Sequence, residues 1–359
     1  MNSNTFVMFV NIKESNILLD KLRKYLNNYN LTEETYITGY DKKPEFIWFR
    51  HINEFDKKIQ NYYYSIHCFA ISRLLNINCI CDKYDLYLNM KKYFPNTYLD
   101  FMPKSFKLEN NTPFISNSVF IARPVNDIKT NTRCHSGTGI LVYDSEKTLD
   151  ETKKNMLEKY DKVIVSEYIK NPLLFKKKKM HLRCHMFVTI INNVYAGYLY
   201  DSYEVLSALK EYNTYDFQNK DVHDSHWRKD YRDYLFPNDF TSENTDYLIT
   251  EKIIEKIYND IREISKKMVI ILKNKAKCPK NAKNAFHLFG FDVLIDENLK
   301  VYLLECNRFC DITTCNQVIC NFDFDRFFSW VNDIILTPLF DKNKTINIKP
   351  SFINTSLLD

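Results

Sequence analysis

Apolar and polar positions along this chain repeat with two different periods, and the changes of period mark where strands give way to helices. Residues 5–12, TFVMFVNI, are a short apolar run that reads as a strand. From Glu14 to Asn28, the apolar residues Ile17, Leu18, Leu22, Tyr25 and Leu26 recur at helical spacing. A strand is expected at 45–50, a helix at 55–75 and a boundary at 76–81. A Lys- and Tyr-rich helix follows from Lys83 towards Pro95; strands are expected at 118–123, 139–144 and 162–168, with a loop at 124–136. HLRCHMFVTI (181–190) and NVYAGYLY (193–200) alternate as strands do and predict a hairpin turning at Asn192–Asn193. Residues 210–245 carry no period and read as a long loop with short helices. The longest helix is expected over 245–275, on the stripe Ile253, Ile254, Ile257, Ile261, Ile264, Met268 and Leu272, with Pro279 ending it. Strands at 286–296 and 300–307 and a helix near 323–337 complete the pattern.

With 359 residues the chain is longer than one core usually serves, so subdomains are expected at 1–78, 79–165 and 166–340, with a tail at 341–359. No run approaches the roughly 18 apolar residues a membrane helix needs. The N-terminus lacks the basic, apolar and small-residue stretches of a secretory signal, which predicts a cytoplasmic location. The ten cysteines are irregularly spaced in a chain too large to need disulfide staples, so reduced thiols are expected. Cys306, Cys310, Cys315 and Cys320 are separated by gaps of three, four and four residues, unlike the paired C-x2-C knuckles of structural zinc. A net charge of +5 is too mild to imply nucleic acid but favours an acidic peptide partner. A monomer with no nucleic acid and no membrane is the expectation.

The strands at 286–307 hold the most informative chemistry. Phe289, Phe291, Val293 and Ile295 define an apolar face, and Asp292 points away from it. If Ile295 pairs with Lys300 across the turn, Asp292 lies opposite Leu303, and Leu303, Glu305 and Asn307 share its side. Two carboxylates and an amide oxygen are a hard donor set suited to magnesium. The alternative is that Asp292 and Glu305 pair with basic residues of neighbouring strands. Elsewhere, Ser136-Gly137-Thr138-Gly139-Ile140 offers small residues that let backbone N–H groups approach phosphate. In KMHLR, alternation places Lys179, His181 and Arg183 on one face, a cationic row able to stabilise an acyl-phosphate. Lys176, Lys177 and Lys178 just before it read as a solvated loop or an attractor of acidic substrate.

LFGFD (288–292) and LLECN (303–307) resemble the paired segments of the tubulin–tyrosine ligase-like family of ATP-grasp enzymes. The resemblance extends over roughly 45–335 and is strongest at 119–200 and 286–307. It implies an α+β ATP-grasp fold of three subdomains, with antiparallel sheets flanking an ATP cleft. By the same resemblance Asp292, Glu305 and Asn307 would ligate Mg2+; Arg123 and the Ser136–Ile140 loop, with Gly137 and Gly139, would hold the triphosphate. Glu167, Tyr168 and Ile169, in IVSEYIKNPLL, would form the adenine hinge, although a plain core strand explains that segment too. Lys83 and Lys179 would also reach ATP, Lys83 having a solvated helix face as its alternative. Lys179, His181 and Arg183 would then be catalytic. The implied reaction joins a free amino acid, with glutamate ahead of tyrosine or glycine, to an acidic protein such as the tubulin C-terminal tail, which would bring the chain to microtubules. A non-catalytic acidic-peptide binder and a ligase for another substrate are the rivals.

Four positions depart from the family pattern. Arg123 replaces a lysine, His181 an aspartate and Leu206 an arginine, with Lys210 nearby, while His223-Asp224-Ser225-His226 stands for H-L-T-N.

Overall fold

The computed structural model describes residues 5–9, 16–33, 44–49, 67–129, 132–134, 139–225, 234–308, 323–341 and 352–353. The first elements are β1 (Thr5–Phe9), α1 (Asn16–Asn27), β2 (Thr32–Glu33), β3 (Phe46–Phe49) and β4 (Cys68–Ile71). Helices α2 (Asn78–Cys81), α3 (Lys83–Tyr93) and α4 (Tyr98–Phe101) lead to β5 (Ser105–Lys107), β6 (Phe120–Pro124), β7 (Asn126–Asp127) and β8 (Thr132–Arg133). Next come β9 (Leu141–Tyr143), α5 (Glu146–Met156), β10 (Val163–Glu167), β11 (Leu174–Phe175), β12 (Lys178–Ile191), β13 (Val194–Leu199) and β14 (Tyr203–Ser207). The chain continues through α6 (Lys220–His223), β15 (Tyr234–Phe236), α7 (Glu251–Lys275), β16 (Ala282–Ile295), β17 (Val301–Asn307), α8 (Phe324–Val331), α9 (Thr337–Phe340) and β18 (Phe352–Ile353).

Two sheets dominate. The larger is built on the path β15-β14-β12-β16-β4-β3-β1-β2, with β17 also paired to β16. The smaller has the order β5-β10-β6-β9 and is antiparallel throughout. The expectation of antiparallel sheets holds for the smaller one and needs correcting for the larger. There β1, β3, β4 and β16 run parallel, so strands from before residue 78 continue the sheet that carries β16.

Alternation explains how the large sheet is covered. On β12 the even positions Leu182, Cys184, Met186 and Val188, with Phe289, Phe291, Val293 and Ile295 of β16, pack on Ile257, Ile261, Ile264 and Met268 of α7. The opposite face carries Phe187 and Phe286 against Phe327, Phe328 and Val331 of α8 and Leu22 and Leu26 of α1. Those helices cover one end of that face. The other end, with Lys179, His181, Arg183 and Asp292, looks towards the smaller sheet.

Three expectations change here. The helix expected at 55–75 contains, in its described part, the strand β4. CFAI is a short apolar run that period alone cannot assign, and the slot between β3 and β16 makes it a strand. YEVLS forms β14, which the sequence pattern did not single out, because all five residues are buried and no polar alternation marks them. In the turn of the carboxylate hairpin, Leu299 takes φ +62° and Asp296 Oδ1 accepts from the N–H groups of Asn298 and Lys300, each at 2.9 Å. This loop pairs Ile295 with Val301 rather than Lys300. The hairpin at Asn192–Asn193 forms as expected, with φ of +51° and +65°.

Candidate active site

Between the two sheets lies a cavity of about 380 Å³. Arg123 of β6, Leu141 and Val142 of β9, and Ser166–Ile169 at the end of β10 line it from the small sheet. Lys179, His181, Asp292 and Glu305 line it from the large one. Gly139 and Ile140 also reach the wall, while Ser136 and Gly137 lie outside the described residues. Gly139 takes φ +74°, and a Cβ there would fall 2.2 Å from Tyr160 Oη, so only glycine fits.

The two carboxylates meet through an irregularity. Val293 pairs with Leu303 on the core face, Leu304 bulges, and Asp292 then stands directly opposite Glu305. Leu303 therefore belongs to the core, not to the carboxylate face where simple alternation put it. Asn307 pairs with Gly290, two positions along, and its Nδ2 donates to Glu305 Oε1 at 3.1 Å.

Like charges placed directly across a sheet repel, so cations must lie close. Arg183 stands across from Asp292 on β12 and donates from Nε and Nη2 to both carboxylate oxygens, the second at 3.0 Å. His181 Nε2 is 3.7 Å from Asp292 Oδ2, and its Nδ1 is 2.6 Å from Ser225 Oγ. Lys83, the first residue of α3, reaches Glu305 Oε2 at 3.3 Å. The alternative of basic partners on neighbouring strands is thus met for Asp292 by Arg183, while the basic partner of Glu305 comes from a helix instead. They do not exclude a metal. An oxygen-only set on facing strand positions suits a hard divalent ion, provided the Asn307 amide turns its oxygen inward and Asp292 releases Arg183. Among the described residues no three His, Cys, Asp or Glu side chains form a metal cluster. Cys310, Cys315 and Cys320 lie outside them, and Cys306 is a buried thiol.

Arg123 braces the bulge. Its Nη1 donates to Leu304 O at 2.8 Å and its Nη2 to Ser166 Oγ at 3.0 Å. Burial pulls its pKa down, and Glu305 partly restores it. At the expected hinge, the N–H groups of Glu167 and Tyr168 donate to Lys104 O and Val119 O, which leaves neither of them for a ligand. The Tyr168 hydroxyl accepts from Lys179 Nζ at 2.7 Å and lies 2.7 Å from His223 Nδ1. Burial drives Lys179 down to about 7, against a smaller opposing pull from Asp224. His223, packed against Phe217 and Tyr212, is pushed down to about 4 by burial and by Lys179.

The cavity also takes in Phe217, Gln218, Lys220, Asp224 and Ser225, from a stretch with no readable period. Leu206, buried, stands opposite His181. Sequence reasoning missed His185 and Glu204, a buried pair behind Arg183. A lone glutamate inside the apolar run YEVL was the available signal.

The sequence matches the profile of the tubulin-tyrosine ligase family over residues 58–323. It is 26% identical to tubulin glycylase 3C of Tetrahymena thermophila, over 48% of this chain and 17% of that protein. To the probable tubulin polyglutamylase TTLL2 of Homo sapiens it is 27% identical, over 59% of this chain and 34% of the relative. To the probable alpha-tubulin polyglutamylase Ttll1 of T. thermophila it is 24% identical, over 62% and 57% respectively. The chain thus spans only part of the length of these relatives. The profile match covers well over half of the 359 residues, and the chain belongs to the tubulin-tyrosine ligase family.

Proposed function

We propose that this chain is an ATP-dependent carboxylate–amine ligase that joins an amino acid, glutamate before tyrosine or glycine, to a carboxylate of an acidic protein tail such as that of tubulin. One observation carries the reading: a single cavity gathers the Glu167–Ile169 hinge, the Arg123 and Lys179 cations and the Asp292–Glu305 pair. Members of the family are ATP-dependent ligases, and the relatives' names are those of tubulin glycylases and polyglutamylases.

In this reading the hinge holds the base, and Lys83, Arg123 and the backbone at Gly139–Ile140 hold the phosphates. An acceptor carboxylate oxygen attacks the γ-phosphorus of ATP, the bond to ADP breaks, and an acyl-phosphate forms. The amino acid's neutral amine nitrogen then attacks the carbonyl carbon, phosphate leaves with the electron pair of the C–O bond, and the nitrogen gives up one proton to the departing phosphate or to water. His181 and Lys179 on the cavity wall would face the charge that builds on these oxygens, with Arg183 behind Asp292 adding to the positive field. Magnesium, held by Asp292, Glu305 and Asn307, would offset charge on the transferring phosphoryl group.

A second reading is a binder of acidic peptides that turns nothing over. Its motive is that Arg183 and Lys83 already occupy the two carboxylates. Purified chain with ATP, magnesium, tubulin or other acidic-tail acceptors and each amino acid separates the two. Magnesium-dependent ADP release with amino acid incorporated into the acceptor is the expected result; acceptor binding without ADP release with any amino acid would establish the binder.

A further inference from the structure

His185 and Glu204 lie behind the cavity wall with exposures of 0% and 1%. His185 Nε2 is 3.2 Å from Glu204 Oε1. Burial, aided by Arg183, pushes His185 down to about 3. The ring is therefore neutral at physiological pH and offers Glu204 an N–H but no charge. A buried carboxylate requires a cation as well.

The strand register places one on the neighbouring strand, and Glu204 Oε2 is buried with no hydrogen-bond partner among the described residues. Glu204 on β14 stands directly across from Arg183 on β12, and Asp292 on β16 stands across from Arg183 on the other side. One guanidinium, itself 4% exposed, is flanked by two buried carboxylates on the two neighbouring strands. Asp292 takes the Nε–H and an Nη2–H. A guanidinium carries five N–H groups, so Asp292 does not exhaust its donors. His185 is itself fixed: Phe327 packs edge-on against it at 6.1 Å, and Gly290 is its cross-strand neighbour.

We propose that Glu204, oriented by His185, is the positioning residue for Arg183, keeping its guanidinium paired and in place when Asp292 turns to a metal ion. The proposal rests on the ligase reading of the cavity. If Asp292 were the only buried anion within reach of Arg183, metal and guanidinium would compete for the same two oxygens. Releasing Arg183 would leave a buried charge unpaired, which opposes metal entry. With Glu204 on the opposite side, Arg183 exchanges one carboxylate for another without leaving the sheet face.

The test is a Mn2+ titration of the intact chain in the presence of a non-hydrolysable ATP analogue, with free Mn2+ read by electron paramagnetic resonance. Glu204→Gln keeps the shape and removes the charge; it should weaken Mn2+ binding about tenfold, equivalent to about 1.4 kcal/mol. Binding of the analogue without metal should stay unchanged. His185→Phe, which removes the ring N–H and its acceptor nitrogen but keeps an aromatic ring beside Phe327, should weaken Mn2+ binding by a smaller factor and carries the test if Glu204→Gln does not fold. Parent-like Mn2+ affinity in these variants overturns the proposal and leaves the ligase reading standing. Equal loss of metal-free analogue binding makes Glu204 merely structural and overturns it too. A parent chain that binds the analogue with no Mn2+ at all overturns both readings.

Discussion

Asp292 and Glu305 face each other across two strands, yet removing their charges should have different consequences. Asp292 is 1% exposed and its carboxylate is held by Arg183 on both oxygens. Asp292→Asn removes one of the two buried carboxylates that flank that guanidinium; breaking a buried pair costs on the order of 3–5 kcal/mol, and Glu204 on the opposite side should offset part of it. Glu305 pairs with Lys83 at 3.3 Å in a wetter setting, with side-chain exposures of 15% and 21%. Glu305→Gln should shift stability by no more than about 1 kcal/mol. Under the proposed ligase reading both changes should lower ATP turnover by on the order of a hundredfold, because each would remove a proposed metal ligand worth several kcal/mol of charge stabilisation. Urea unfolding beside ADP release separates the two effects; full turnover in both variants would remove these residues from the metal site. Lys179 makes a second prediction at this scale. Burial lowers it from 10.5 to about 7, so between those values the unfolded chain binds more protons than the folded one and stability rises with pH. Below pH 7 both states are protonated and the burial cost is felt in full. Lys179→Met should therefore stabilise the chain at pH 7 by on the order of a few kcal/mol. That gain should shrink towards pH 10.5. Urea midpoints at the two pH values check it, and a gain that does not vary with pH would rule out the buried charge as its source.

Helix α3 brings Lys83 to Glu305 of the cavity wall, and its start is set by one side chain. Asp82 accepts from the N–H groups of Tyr84 at 2.9 Å and Asp85 at 3.1 Å. Asp82→Ala should cost about 1 kcal/mol as a lost N-cap. It should also weaken ATP binding, because Lys83 sits in the first turn that the cap orders; an unchanged ATP affinity would separate helix start from site. This link was half legible in the sequence. The helix and Lys83 could be read from the Lys/Tyr pattern, and the apolar alternation of 289–295 correctly turned Asp292 away from the core. What simple parity could not supply was the bulge at Leu304. An unbroken strand carrying Leu303 to the core would have carried Glu305 there as well. The family motif singled out the same two residues by resemblance, whereas the physical cause of their facing each other is one extra residue braced by Arg123. Strands β4 and β14 escaped notice for a related reason: both are short, buried stretches whose pairing is decided by distant strands.

At the scale of the whole molecule, the cavity belongs to neither sheet alone. The hinge and Arg123 come from the small sheet, and Lys179, His181 and the carboxylates come from the large one. A ligand filling it touches both and should stabilise the folded chain by mass action, by about 2.7 kcal/mol at a hundred times its dissociation constant. In the proposed reading the carboxylates would meet the metal and the expected hinge and the cations would meet the nucleotide, so the two contributions can be separated. ATP alone should raise the unfolding temperature, and ATP with Mg2+ should raise it further. Chelating the metal should remove only the second increment. Asp292→Asn should keep the rise with ATP alone, measured against its own lower baseline, and lose the magnesium increment. Equal shifts with and without Mg2+ in the parent chain would mean that the facing carboxylates serve only the ion pairs seen between the strands, and the binder reading would then stand.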